Sequence, residues 1–203
     1  MTGRVGAREG ADARCLIYIL HTGANDVMGL LHWVVKLLSE NPSWVRRLRD
    51  GSPAGSDGTE SLASRIVSEC LRLEQSENVN RAAHADVHFA GFLIPKGWLV
   101  RVCVRESHRD PAVFPDPDRF DPARFLGRRY ARAEYSPFGL PPRPCLGDHV
   151  TRSVASLFVT ELATYDCSVT SDGPRAFSGF RHWAPSPAFR VKLVRRTELD
   201  PVR

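Results

Sequence analysis

Apolar positions recur at helical spacing over residues 11–40 and the pattern stops at Pro42. On a wheel of about 100° per residue, Leu16, Ile17, Ile19, Leu20, Val27, Met28, Leu30, Leu31, Trp33, Val34, Val35, Leu37 and Leu38 fill an arc of roughly 220°, where a surface helix needs little more than about 100°. The pattern predicts a long helix built to be surrounded. Residues 1–10 carry no periodicity and read as a disordered terminus. Residues 42–50 predict a short helix with proline near its start, residues 51–58 a flexible loop, and residues 60–74 an amphipathic helix with Leu62, Ile66, Cys70 and Leu73 on one face. A β region follows. Val87-His88-Phe89 and Phe92-Leu93-Ile94 flank Ala90-Gly91, and Pro95-Lys96-Gly97 turns into a strand over 98–104. The proline-dense stretch 114–122 excludes regular helix and sheet. A further helix is expected over 148–166, from Val150, Val154, Leu157, Phe158 and Leu162, and then a segment at 168–173 and an alternating strand at 189–194. The expected fold class is mainly α with a small β region.

Composition narrows this picture only a little. The chain has 203 residues, 42% hydrophobic and 25% charged, which suits an ordinary globular domain with its own core. The net charge of +5 comes from dispersed arginines without interleaved aromatics, so no nucleic-acid partner is expected. No apolar run is long enough to span a membrane, and no signal peptide is evident. Five cysteines without paired spacing suggest a reducing, cytoplasmic setting.

The chemistry concentrates at 138–147, Phe-Gly-Leu-Pro-Pro-Arg-Pro-Cys-Leu-Gly. Cys145 lies just ahead of the predicted helix, where the helix dipole and unpaired N–H groups favour a thiolate. Such a sulfur is a nucleophile, a soft metal ligand or a buried structural cysteine. Cys15, Cys70, Cys103 and Cys167 lie in apolar or strand patterns, as packing residues do.

The stretch resembles the haem-binding loop of the cytochrome P-450 family, F-G-x-G-x-R-x-C-x-G. Phe138, Gly139, Arg143, Cys145 and Gly147 match, and Pro141 stands where the family has its second glycine. Glu69-x-x-Arg72 resembles the family's E-x-x-R pair, and Arg124 in the segment 120–125 matches the arginine that joins it. The resemblance covers nearly the whole chain but only the family's C-terminal half. It implies a haem domain truncated at its N-terminal side, over 11–203, with haem b as cofactor and Cys145 as proximal iron ligand. It further implies that Arg143 and Arg81 pair with haem propionates and that Phe138 covers the proximal haem face. Arg181-His182-Trp183 fall where the family often contacts substrate.

The long first helix resembles the family's distal helix, with Thr22-Gly23-Ala24-Asn25-Asp26-Val27 at its signature. Asn25 stands at the acid position and Asp26 at the alcohol position. On the wheel Asp26 falls inside the apolar arc, facing a pocket or paired with an arginine, and Asn25 lies on the polar side. The implied activity is monooxygenation of a small organic molecule, with O2 and electrons from a ferredoxin-type donor. Arg128, Arg129, Arg132 and Arg152 are candidates for the donor's docking face. Two alternatives stay open: a haem isomerase, dehydratase or peroxide-using enzyme, and a non-catalytic fragment or auxiliary subunit. A bare apolar arc also points to a partner chain supplying the missing half.

Overall fold

The computed structural model describes residues 3–51, 60–75, 78–178 and 182–196. Three helices come first: α1 (Gly3–Glu40), α2 (Pro42–Arg49) and α3 (Leu62–Cys70), the last continuing into a π-helical turn (Leu71–Gln75). Then come β1 (Asn78–Ala82), β2 (Val87–Phe89), β3 (Phe92–Ile94), β4 (Leu99–Cys103), the short α4 (Val104–Ser107) and a 3-10 turn (Pro122–Phe125). The chain continues with α5 (Asp148–Leu162), β5 (Tyr165–Ser171), β6 (Ala176–Ser178), β7 (His182–Ala184) and β8 (Arg190–Arg195). The fold is mainly helical with small sheets, as the patterning predicts.

One core joins three helices. Leu30, Val34, Leu37 and Leu38 of α1 meet Ile66, Val67 and Cys70 of α3 and Ala155, Val159 and Leu162 of α5. Residues 62–74 are buried almost without interruption, so α3 is the central post. Its start is capped by Ser61, whose hydroxyl accepts from the Ser64 N–H at 3.2 Å. Asn41 closes α1 and opens α2. Its side-chain amide donates to the Leu37 carbonyl at 2.8 Å, and its own carbonyl accepts from the Trp44 N–H.

The strands pair antiparallel as β1–β4, β2–β3, β5–β8 and β6–β7, each a two-stranded sheet. Ala90 and Gly91 both have positive φ, the backbone that a two-residue hairpin between β2 and β3 requires.

The structure departs from the sequence-based expectations at several places. Helix α1 begins at Gly3 rather than near Ala11, so residues 3–10, expected as a disordered terminus, are helical. Ala7, Arg8, Glu9, Ala11 and Ala13 are good helix formers, and adding turns to an existing helix is far easier than starting one. Helix α5 ends at Leu162, and the stretch Tyr165-Asp166 belongs to β5. Strands β1, β6 and β7 carry no two-residue alternation in the sequence. The last residue of the expected strand 98–104 instead opens α4. Of the four cysteines expected to pack, Cys70 is buried and Cys167 half-buried, whereas Cys15 and Cys103 are exposed because their elements lack a covering layer. The loop expected over 51–58, Gly51 apart, lies outside the described residues, as does Arg181.

Candidate functional site

Residues 135–147 form an irregular loop that feeds directly into α5. Its turns are set by backbone bonds: the Gly139 N–H donates to the Ser136 carbonyl at 2.9 Å, and the Cys145 N–H donates to the Phe138 carbonyl at 2.8 Å. Gly139 has φ of 75°, a left-handed backbone that favours glycine. The peptide between Pro141 and Pro142 is cis. Cys145 ends exposed, its Sγ accepting the Gly147 N–H at 3.3 Å. Gly147 is the cap residue of α5 and has φ of −84°. A side chain there would begin 3.6 Å from the sulfur, so glycine leaves that flank of the thiol open.

The loop is held from behind. The Phe138 ring lies under the Arg152 guanidinium at 5.0 Å, and Arg152 donates to Asp148 at 2.7 Å and to the Ser68 hydroxyl at 3.1 Å. Tyr135 donates its hydroxyl to the Ser68 carbonyl at 2.8 Å, and burial pushes its phenol pKa well up, so it stays a donor. Both contacts reach α3, so the central post fixes both ends of the loop.

The same post carries the buried charges. Glu69 and Arg72 are fully buried, with two parallel bonds at 2.7 and 2.8 Å. Arg124 joins Glu69 at 3.3 Å, and the Asp121 N–H donates to the same carboxylate at 2.9 Å. Arg72 also donates to the carbonyls of His108 at 2.8 Å, Pro117 at 2.7 Å and Arg119 at 3.2 Å. Arg124 donates to those of Pro115 and Asp116. A proline-rich segment without ladder bonds of its own thus takes its shape from two guanidinium forks. The Glu69, Arg72 and Arg124 grouping expected from the sequence is present.

Other expected residues sit apart from this grouping. Arg143 is exposed on the cysteine loop. Arg81 is exposed on β1, donating to the Asn80 carbonyl at 2.9 Å. Asn25 is exposed, 3.4 Å from His21, and Asp26 is half-buried on α1. Arg128, Arg129 and Arg132 are exposed, but Arg152 is half-buried and neutralised by Asp148, so it adds little to a basic face. The backbone of Trp183 accepts from the buried Trp33 indole at 2.8 Å, tying β7 to α1.

Four residues carry contacts that the sequence reading did not assign. Tyr135 and Ser68 bind each other across the chain, and His108 accepts the Ser136 N–H at 2.9 Å. Glu74, buried, gathers Arg175 at 3.0 Å and Arg105 and Arg109 at 3.6 and 3.7 Å, bracing the π-helical turn against α4. The only local signal for any of these is that buried polar groups need partners. Among the described residues no group of three or more His, Cys, Asp or Glu could hold a metal ion, and no helix is long and apolar enough to cross a membrane.

A single exposed sulfur thus stands at the start of α5, on a loop tied to α3, the helix that carries the buried Glu–Arg pair. The chain belongs to the cytochrome P-450 family, whose model matches residues 61–175. It is 32% identical over 159 residues to ent-kaurenoic acid oxidase 1 of Hordeum vulgare, covering 71% of this chain and 32% of that protein. It is 31% identical over 212 residues to pentalenene oxygenase of Streptomyces avermitilis, covering 96% of this chain and 46% of the relative. A cyanobacterial member solved with retinoic acid bound superposes with a TM-score of 0.73 at 27% identity, over 87% of this chain and 44% of that one. The chain therefore spans less than half the length of these relatives. The family implies a haem cofactor with thiolate-ligated iron.

Proposed function

We propose that this chain is the haem-thiolate portion of a monooxygenase acting on a small organic molecule, with haem b as its cofactor. The observation that carries the reading is Cys145: an exposed sulfur ahead of α5, on a loop tied through Tyr135 and Ser68 to α3, which carries the buried Glu69–Arg72 pair. The donor set suits the group, because one unpaired cysteine sulfur with no side chain on its Gly147 flank would supply a single soft ligand, with no competing cluster among the described residues. Bound there, haem supplies the oxygen-activating redox chemistry. Cys145 would hold the iron, and the Gly147 N–H bonded to its sulfur would temper the charge there. Arg143 and Arg81 are exposed cations that we assign to the propionates, and Phe138 we assign to the proximal haem face. Asp26, half-buried on α1, is the group we assign to proton delivery on the distal side, with Asn25 beside it.

Electrons are proposed to come from an acidic ferredoxin-type donor meeting the exposed Arg128, Arg129 and Arg132. Five unpaired cysteines support a reducing, cytoplasmic setting. A partner chain supplying the part of the relatives that this chain does not match is part of the proposal. Leu16, Ile17, Tyr18, Ile19 and Leu20 are 49–65% exposed on α1, and substrate needs a roof that excludes water. The test is to titrate the purified chain with haem, alone and with a polypeptide that copies the unmatched half of a relative. The expected result is weak haem retention and poor turnover alone, and a gain in both on mixing. Tight haem and sustained turnover by a monomer would contradict the need for a partner, and no haem binding under either condition would contradict the reading itself.

A further inference from the structure

His108 is fully buried, and both of its polar ends point at different parts of the site. Its carbonyl accepts from Arg72 at 2.8 Å, and its ring Nε2 accepts the Ser136 N–H at 2.9 Å. Because Nε2 accepts, the ring proton sits on Nδ1, which is buried and has no hydrogen-bond partner among the described residues. Phe114 lies edge-on to the imidazole at 6.3 Å and Tyr135 is tilted against it at 5.1 Å, so the ring has one orientation open to it. From Ser136 the path to the sulfur is short. The Ser136 carbonyl takes the Gly139 N–H, and the Phe138 carbonyl takes the Cys145 N–H.

We infer that His108 is a positioning residue, which ties the start of the cysteine loop to the buried Glu69–Arg72 centre through Ser136 and so sets where Cys145 stands. The inference rests on the reading of Cys145 as the ligand-bearing residue. A charged ring is not needed for this role. Burial, followed by the nearby Arg72 guanidinium, lowers the imidazole pKa to about 4, which keeps the acceptor lone pair free at neutral pH. A histidine that merely filled space could be exchanged for another ring, whereas a positioning acceptor could not.

The test compares the unmodified chain with His108→Phe, which keeps a ring and removes the acceptor, and His108→Gln, whose amide oxygen can reach the Nε2 position. Amide hydrogen exchange reads Ser136 directly. The expected result is at least about tenfold faster exchange at Ser136 in His108→Phe, the scale for leaving a buried N–H unpaired, with most of the protection kept in His108→Gln. With haem bound, His108→Phe should also move carbon monoxide absorbance from the thiolate-type band to the thiol-type band, and His108→Gln should restore much of it. Should His108→Phe fail to fold, the ¹⁵N spectrum of the unmodified chain decides: a ring protonated on Nδ1 and bonded at Nε2 supports the inference, and a proton on Nε2 overturns it. Unchanged Ser136 exchange in a folded His108→Phe chain also overturns it. An unmodified chain without a thiolate-type band counts against the reading of Cys145, whereas the exchange and tautomer results judge His108 without any haem.

Discussion

Burial separates the charges that shape this protein from those that only solvate it. Glu69 and Arg72 have no exposure, so removing one partner strands the other away from water. Arg72→Met is expected to cost about 3–5 kcal/mol, the range for breaking a buried pair, and the His108 and Pro117 carbonyls lose their Arg72 donor as well. Urea unfolding of the two chains measures it, and a loss near the few tenths of an exposed helix pair would contradict the assignment. His108 gives a pH signature. Its folded pKa of about 4 lies below the unfolded value near 6.5, so the unfolded chain binds the extra proton between them. Stability present above about pH 6.5 is lost as pH falls toward 4, by on the order of 3 kcal/mol. His108→Phe should flatten that slope. The cysteine, the Glu69–Arg72 pair and Arg124 were legible because each falls in a short fixed motif. His108 was not, since its partner Ser136 lies 28 positions away and only packing brings the two together.

Among the elements, α1 shows what periodicity can and cannot say. Its wide apolar arc was legible, and its second half is covered: Leu30, Trp33, Val34, Leu37 and Leu38 are all buried. Its first half is not, for Leu16 and Leu20 are 58% and 62% exposed. The arc reports the surface a helix is able to bury and is silent on which chain buries it. The strands β1, β6 and β7 were harder to read because they hold only five, three and three residues with few apolar positions, too little for a period of two to show. In the cysteine loop, the φ of 75° at Gly139 makes a definite claim. Gly139→Ala is expected to cost about 1–2 kcal/mol, the penalty of a left-handed backbone for a residue with a Cβ. No side chain crowds that position, its nearest neighbour being the Arg143 carbonyl at 3.9 Å, so the whole effect should be backbone strain, measured as a lowered denaturation midpoint.

For the molecule as a whole, exposed apolar surface is the governing fact. Besides α1, Phe89, Phe92, Trp98 and Leu99 are 62–74% exposed around the β region. Such surface drives association, so the chain alone is expected to sediment as more than a monomer. Leu16→Lys combined with Leu20→Lys should shift it toward monomer with unchanged helix content, and identical sedimentation would contradict the role given to α1. At the proposed donor face, Arg128→Glu with Arg129→Glu should slow reduction by an acidic ferredoxin at low salt, with the difference fading as salt screens it. Rates equal at low salt would remove the docking role.

The most direct measurement is the carbon monoxide difference spectrum of the reduced, haem-loaded chain, recorded for the unmodified protein and for serine replacements at Cys15, Cys70, Cys103, Cys145 and Cys167. A thiolate-type band that survives four of the replacements and vanishes in Cys145→Ser is the result this account predicts. A thiolate-type band that persists in Cys145→Ser would contradict it.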